Sequence, residues 1–176
     1  MVINLFEIPV IIGDIDVNRI NLSNKEFKKT WLSQTPSTHF QSIYDKKMIE
    51  GEDFKYLIAT LVSMLKEKIN YSFEIVLQNI WENHYRKNDY QDPHIHENSD
   101  FSFIIYKDVV EGKTVFLNPI KNLLLFYKNI NHMFDVNYMP KCKTGQIIVF
   151  PSFLEHMVLK SSNQKTISGN LTFKKI

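Results

Sequence analysis

Six histidines stand in this 176-residue chain, at positions 39, 84, 94, 96, 132 and 156, and the spacing of three of them fits metal chemistry. In His94-Ile95-His96 the two histidines are alternate residues. On a strand, alternate side chains project to the same side, so both imidazoles can face one point. A third imidazole from another strand completes a facial triad with three open coordination positions, an arrangement suited to Fe(II) and oxygen chemistry. His156 is the candidate. It follows Gly145 to Glu155, an apolar strand broken at Pro151. An imidazole among such core-forming residues needs a partner to offset its burial. Polar surface is the competing reading of the pair, and a satisfied core histidine that of His156. His84 reads as structural or surface, and His39 and His132 as surface.

Other chemistries find little support. The sequence contains no CxxC, GxSxG or HExxH motif and no phosphate-binding glycine loop. Cys142 is the single cysteine, which excludes an internal disulfide and fits a reducing cytoplasm. Lys141 and Lys143 flank it and could lower its pKa, but no base partner is identifiable, so it reads as a buried bystander. A formal charge of +2, from 21 basic and 19 acidic residues with only two arginines, argues against nucleic acid as a partner. Apolar residues at 44% and aromatics at 13% exclude a disordered chain. No apolar run reaches the ~18 residues of a membrane span. The N-terminus lacks the basic region of a signal peptide. A cytoplasmic protein without a membrane partner is therefore expected.

The elements that position the histidines read as two zones of one domain over 1–176: helical signals in 1–70 and strands in 72–176. Ser23-Asn24-Lys25-Glu26 has the pattern of a capping box and predicts a short helix through about Leu32. Glu52 to Lys68 predicts a second helix, with Phe54, Leu57, Ile58, Leu61, Met64 and Leu65 forming one apolar stripe. Its Phe54/Leu57/Leu61/Leu65 face should pack on the outside of a sheet. From Ser72 the period changes to two, with Phe73, Ile75, Leu77, Asn79, Trp81 and Asn83 on one face. Further strands are predicted from Phe101, Thr114, Gln146, Glu155 and Lys165, separated by turn residues such as Lys143-Thr144-Gly145. Residues 120–127 fit a helix or a strand. The pattern predicts a mainly β, α+β fold: an antiparallel sandwich or barrel with N-terminal helices packed on one sheet.

Six fragments, in order, carry a family resemblance: Trp81-Glu82-Asn83, Gln91-Asp92-Pro93-His94-Ile95-His96, Phe101 to Tyr106, Phe116-Leu117-Asn118-Pro119, Gly145 to His156 and Ser168-Gly169-Asn170. Over about residues 73–173 the chain resembles the 2OG-Fe(II) oxygenases common in bacteria and tailed phages. The resemblance implies a double-stranded β-helix, or jelly roll, holding Fe(II), with 2-oxoglutarate as cosubstrate and O2 as oxidant. In that chemistry 2-oxoglutarate is decarboxylated to succinate and CO2, and an unactivated C–H bond of a peptidyl or small-molecule substrate is hydroxylated. His94, His96 and His156 are the implied metal ligands and catalytic residues. His96 stands where many relatives place Asp, with Glu97 or Asp100 as alternative ligands. Relatives also place an Arg on the last strand for the distal carboxylate of 2-oxoglutarate. Here the aligned residue is Gln164, with Lys165 beside it. Gln164, Thr166 and Ser168 share a face with Asn170, and Lys165 belongs to the other. Lys165 is the favoured partner, since a charge-assisted bond is roughly twice as strong as a neutral one and a bulge could turn it inward. Gln164 with Thr166 is the alternative, aided by Asn83 and Tyr106. The competing function is a cupin-like metal protein without 2-oxoglutarate turnover, either a structural module or a three-histidine dioxygenase. Substrate and oligomeric state are not legible.

Overall fold

The computed structural model describes residues 7–23, 26–30, 33–39, 42, 48–124, 126, 129, 133–160 and 163–176. His132 lies outside them. Among the described residues eleven strands form one sheet, ten along a single hydrogen-bonded path and β2 paired to β3 beside it, and every pairing is antiparallel. The strands are β1 (Ile11–Asp14), β2 (Lys28–Thr30), β3 (Ser33–Ser37), β4 (Phe73–Tyr85), β5 (Gln91–His94), β6 (Phe101–Asp108), β7 (Thr114–Leu117), β8 (Asn137–Tyr138), β9 (Gln146–Pro151), β10 (His156–Val158) and β11 (Gln164–Lys175). One stretch runs β1-β9-β6-β11-β4 and a second runs β5-β10-β7-β8, with β3 joining them.

Alternation along these strands sorts residues onto two faces. Phe103, Ile105, Ile147, Val149 and Ile167 are fully buried in one apolar cluster. Helix α1 (Gly51–Lys66) contributes Leu57, Leu61, Met64 and Leu65 to that cluster, as its three- and four-residue spacing predicts. Phe54 does not join them: it is 37% exposed, at the edge of the buried stripe. The opposite face carries Ile104, Tyr106, Ile148 and Phe150, which pack with Phe116 and Leu154 in a second cluster. The His156 ring lies on this second side, against Phe116 and Phe150.

Two sequence expectations are corrected here. The helix expected from Ser23 to Leu32 is not formed: Lys28–Thr30 and Ser33–Ser37 are strands, paired with each other and with β4 and β5. The segment lacks a sustained helical stripe, so pairing to open sheet edges outweighs a local cap. Residues 24–25 and 31–32 of that segment lie outside the described residues. Next, β4 does not keep one face throughout. A bulge against β11 inserts Gln78, since Asn170 pairs with Asn79 and Leu171 with Leu77. Phe73, Ile75 and Leu77 therefore pack on the helix side, together with Ile80, while Trp81 and Tyr85 turn to the other side. Residues 120–127, which fit a helix or a strand in sequence, form the short helix α2 (Lys121–Leu124) among the described residues.

Gly169 marks a close approach between strands. A Cβ there would sit 2.5 Å from Cζ of the buried Phe103 ring and 2.8 Å from the Asn79 carbonyl oxygen. Neither atom can yield without moving β4 or β6. Gly169→Ala is expected to destabilise the protein by about 1–3 kcal/mol, read by urea denaturation.

Candidate metal centre

Strand pairing brings distant histidines together. His156, which starts β10, lies directly opposite His94, which ends β5. His96 falls just beyond the strand, and its backbone N–H donates to the Ser152 carbonyl at 3.0 Å. The ligand-capable nitrogens of His94, His96 and His156 all lie within 4.8 Å of one another. Ring centroids are separated by 4.3 Å for His94–His156, 5.1 Å for His94–His96 and 5.2 Å for His96–His156.

Two of the rings have fixed tautomers. His94 Nδ1 lies 2.8 Å from the Asp92 carbonyl, and His156 Nδ1 lies 3.0 Å from the Leu154 carbonyl. A carbonyl only accepts, so Nδ1 carries the proton and Nε2 keeps its lone pair free for a metal. Burial pushes the pKa of all three imidazoles below the ordinary value, with the neighbouring imidazoles, which cannot all be charged together, adding to it at His96 and His156. His96 falls to about 3. The neutral form is the metal-binding form.

A chain of hydroxyls fixes the backbone around these ligands. Ser152, fully buried, is 2.9 Å from Ser99 Oγ and 2.8 Å from Ser102 Oγ, and Ser102 donates onward to Asn170 Oδ1 at 2.8 Å. Ser152 therefore ties together the turn before His156, the segment after His96, and strands β6 and β11. Ser152→Ala is expected to cost about 1–3 kcal/mol by leaving buried hydroxyls short of a partner, measured by denaturation of the metal-free protein.

The alternative carboxylate ligands are directed elsewhere. Asp100 Oδ2 accepts the Phe173 N–H at 2.7 Å, and Glu97 is exposed on the turn after His96. Among the described residues, the three histidines form the only cluster of metal-ligating side chains.

The histidines open onto a cavity that runs along the inner face of β11. Its walls include Tyr85, Tyr106, Thr114, Gln164, Thr166 and Ser168. Tyr106 donates to Thr114 Oγ1 at 2.9 Å, and Tyr85 to Gln91 Oε1 at 3.0 Å. Burial pushes both phenols well above their ordinary pKa, so both stay protonated. Asn83 stands behind this wall, its amide 3.4 Å from the hydroxyls of Thr166 and Ser168. Gln164 is 5% exposed, and its Oε1 has no hydrogen-bond partner.

Lys165 is not in the cavity. Its side chain is 48% exposed and pairs with Asp108 at 3.3 Å on the outer side. A bulge does occur here, but the additional residue is Lys107 on β6, and the alternation of β11 is unbroken. Strand parity thus outweighs the gain from a charge-assisted bond.

His39 is where the sequence reading falls short in the other direction. Taken there as a surface residue, it is half-buried with its ring 4.6 Å from Trp81, edge-on. Trp81 in turn lies 5.6 Å from His96. Burial and the nearby His94 lower the pKa of His39. No local pattern around His39 signals this proximity, because it comes from β3 pairing with β4.

The sequence model of the family described as "Putative 2OG-Fe(II) oxygenase" matches residues 79–168, half of the chain, spanning the three histidines and Gln164. The chain belongs to this family. The family is one of Fe(II)- and 2-oxoglutarate-dependent oxygenases, and three imidazoles converging on one point fit such a metal. No curated protein matches it in sequence. Solved structures of similar fold include an oxidoreductase of the 2OG-Fe(II) oxygenase family from Burkholderia pseudomallei, 11% identical over 72% of this chain and 61% of that one, with a TM-score of 0.51. A Pseudomonas putida prolyl-4-hydroxylase is 12% identical over 84% and 77% of the two chains, with a TM-score of 0.53. HygX from Streptomyces hygroscopicus, solved with nickel and 2-oxoglutarate bound, is 8% identical over 94% and 83%, with a TM-score of 0.54. The oxygenase spans about three fifths of the Burkholderia protein's length.

Proposed function

We propose that this oxygenase folds as a single jelly-roll domain and hydroxylates a C–H bond of a peptidyl or small-molecule substrate, using His94, His96 and His156 as metal ligands. The observation that supports it best is one cavity with three convergent imidazoles at one part and, at another, a buried Gln164 whose amide oxygen has no hydrogen-bond partner. Bound Fe(II), with 2-oxoglutarate and O2, supplies the oxidising power for C–H hydroxylation and releases succinate and CO2.

The chain's own residues do the positioning. The Leu154 and Asp92 carbonyls orient the His156 and His94 rings, and Ser152, in the turn before His156, holds the His96 backbone N–H through its carbonyl. Gln164 and Thr166, supported by Asn83 and Tyr106, receive the distal carboxylate of 2-oxoglutarate. The amide of Gln164 can present its NH2 group to the cavity by rotation of its last torsion. Tyr106 donates to Thr114, which leaves the Thr114 proton free to donate onward. Trp81, Phe116 and Phe150 surround the imidazoles with rings and limit water around the metal.

One observation favours a second reading, the cupin-like metal protein without 2-oxoglutarate turnover. Among the described residues, no Lys or Arg lines the cavity to meet a carboxylate. Succinate release from 2-oxoglutarate, assayed with Fe(II) and O2, separates the two. The oxygenase reading predicts Fe(II)-dependent succinate, with Gln164→Leu raising the 2-oxoglutarate Kd at least about tenfold by removing the amide donor. Fe(II) binding with no 2-oxoglutarate binding at millimolar concentration establishes the second reading instead.

A further inference from the structure

The cavity carries no fixed charge. Among the described residues, its walls contain no Asp, Glu, Lys or Arg. Its polar groups are imidazoles, hydroxyls, the Trp81 indole and the amides of Gln91 and Gln164. Nearby ionised groups lie outside it: Glu155 pairs with Lys121, Lys165 with Asp108, Glu82 with His84 and Lys107, Asp100 accepts the Phe173 N–H, and Asp92 is exposed to solvent beside His94. An ion buried in such surroundings is costly unless an opposite charge enters with it. A divalent cation alone leaves two positive charges without a counterion, and a dicarboxylate alone leaves two negative ones. Together they sum to zero.

We propose that the cavity accepts its divalent metal and a 2-oxo dicarboxylate as a charge-matched pair, with the neutral Gln164 setting that match opposite the neutral ligand His96. This rests on the cosubstrate reading above and deepens it. A carboxylate in place of His96 adds one negative charge to the loaded cavity, and it then requires a cation elsewhere on the wall. A cation in place of Gln164 adds one positive charge, and it then requires an anionic ligand. The two positions are therefore energetically coupled, although neither side chain is charged in this protein. Coulomb interaction in a partly dry cavity is strong enough to make that coupling measurable.

Calorimetric titration of the full chain tests the proposal, with Mn(II) as a redox-quiet metal. In the wild-type protein, Mn(II) should tighten 2-oxoglutarate binding at least tenfold, and 2-oxoglutarate should tighten Mn(II) by the same factor. The Mn(II)-loaded protein should bind 2-oxoglutarate at least tenfold more tightly than 2-oxopentanoate, which has the same chain length and no distal carboxylate. Across His96→Asp, Gln164→Arg and the double variant, the double variant should bind 2-oxoglutarate at least tenfold more tightly than the two single effects predict together. That factor corresponds to about 1.4 kcal/mol of coupling. Additivity within twofold overturns the proposal and leaves the cosubstrate reading standing. Should Gln164→Arg fail to fold, equal affinity of the wild type for the two oxo acids overturns it alone. If the Mn(II)-loaded wild type binds neither oxo acid at millimolar concentration, the cosubstrate reading itself falls.

Discussion

His156→Ala is expected to abolish metal binding while leaving the chain folded. The residue supplies one of three ligands, and its ring is held from behind by the Leu154 carbonyl. Losing an outer partner of a ligand typically costs 10–100-fold in metal affinity, so losing the ligand itself should exceed about 100-fold. Succinate formation should fall to background. Stability should change far less, because in the metal-free protein His156 packs against Phe116 and Phe150 as a neutral ring. The cavity left behind should cost at most a few kcal/mol. Metal titration paired with denaturant unfolding checks both halves. An unfolded variant, or one that keeps wild-type metal affinity, contradicts the assignment.

The second large effect concerns acid. In the folded, metal-free protein, burial holds His94, His96 and His156 neutral below their ordinary pKa of 6.5, and His96 down to about 3. The unfolded chain takes up those protons near pH 6.5, so below that pH it binds more protons than the folded chain. Stability is therefore fully present above about pH 6.5 and is lost as pH falls. Each histidine contributes up to about 1.4 kcal/mol per pH unit of that loss. With three such groups titrating together, the metal-free protein should lose stability steeply on the acid side of about pH 6.5. Saturating metal should raise the melting temperature at neutral pH, and the gain should vanish as protons displace the ion. Circular dichroism melts from pH 7 to pH 3 measure this. A flat profile over that range contradicts neutral burial of the three rings.

Much of this site was legible because the responsible signals are local. Period-two alternation located β6, β7, β9 and β11 within a residue or two, and the three- and four-residue stripe located α1. The order of motif fragments singled out His94, His96 and His156. The same alternation placed Gln164, Thr166 and Ser168 on one face, and the cavity lies there. Favouring Lys165 meant expecting a bulge to break that rule on β11, whereas the bulge sits on β6.

What escaped the sequence depends on long-range pairing. Ser33–Ser37 becomes a strand because it meets β4 and β5, and Lys28–Thr30 because it meets Ser33–Ser37, which no local pattern announces. His39 reaches the site by the same route. The Gln78 bulge moves Trp81 and Tyr85 to the cavity side, and nothing in the apolar alternation of β4 marks where the parity changes. The role of Ser152 also emerges only in three dimensions, since its partners Ser99 and Ser102 lie about fifty residues away along the chain.

Crystals grown without oxygen in Fe(II) and 2-oxoglutarate, with anomalous diffraction recorded at the iron edge, test the central claim most directly. One iron peak should lie among the three rings, ligated through Nε2 of His94 and His156 and a ring nitrogen of His96. A peak ligated by Glu97 or Asp100, or no peak among the three rings, would contradict it.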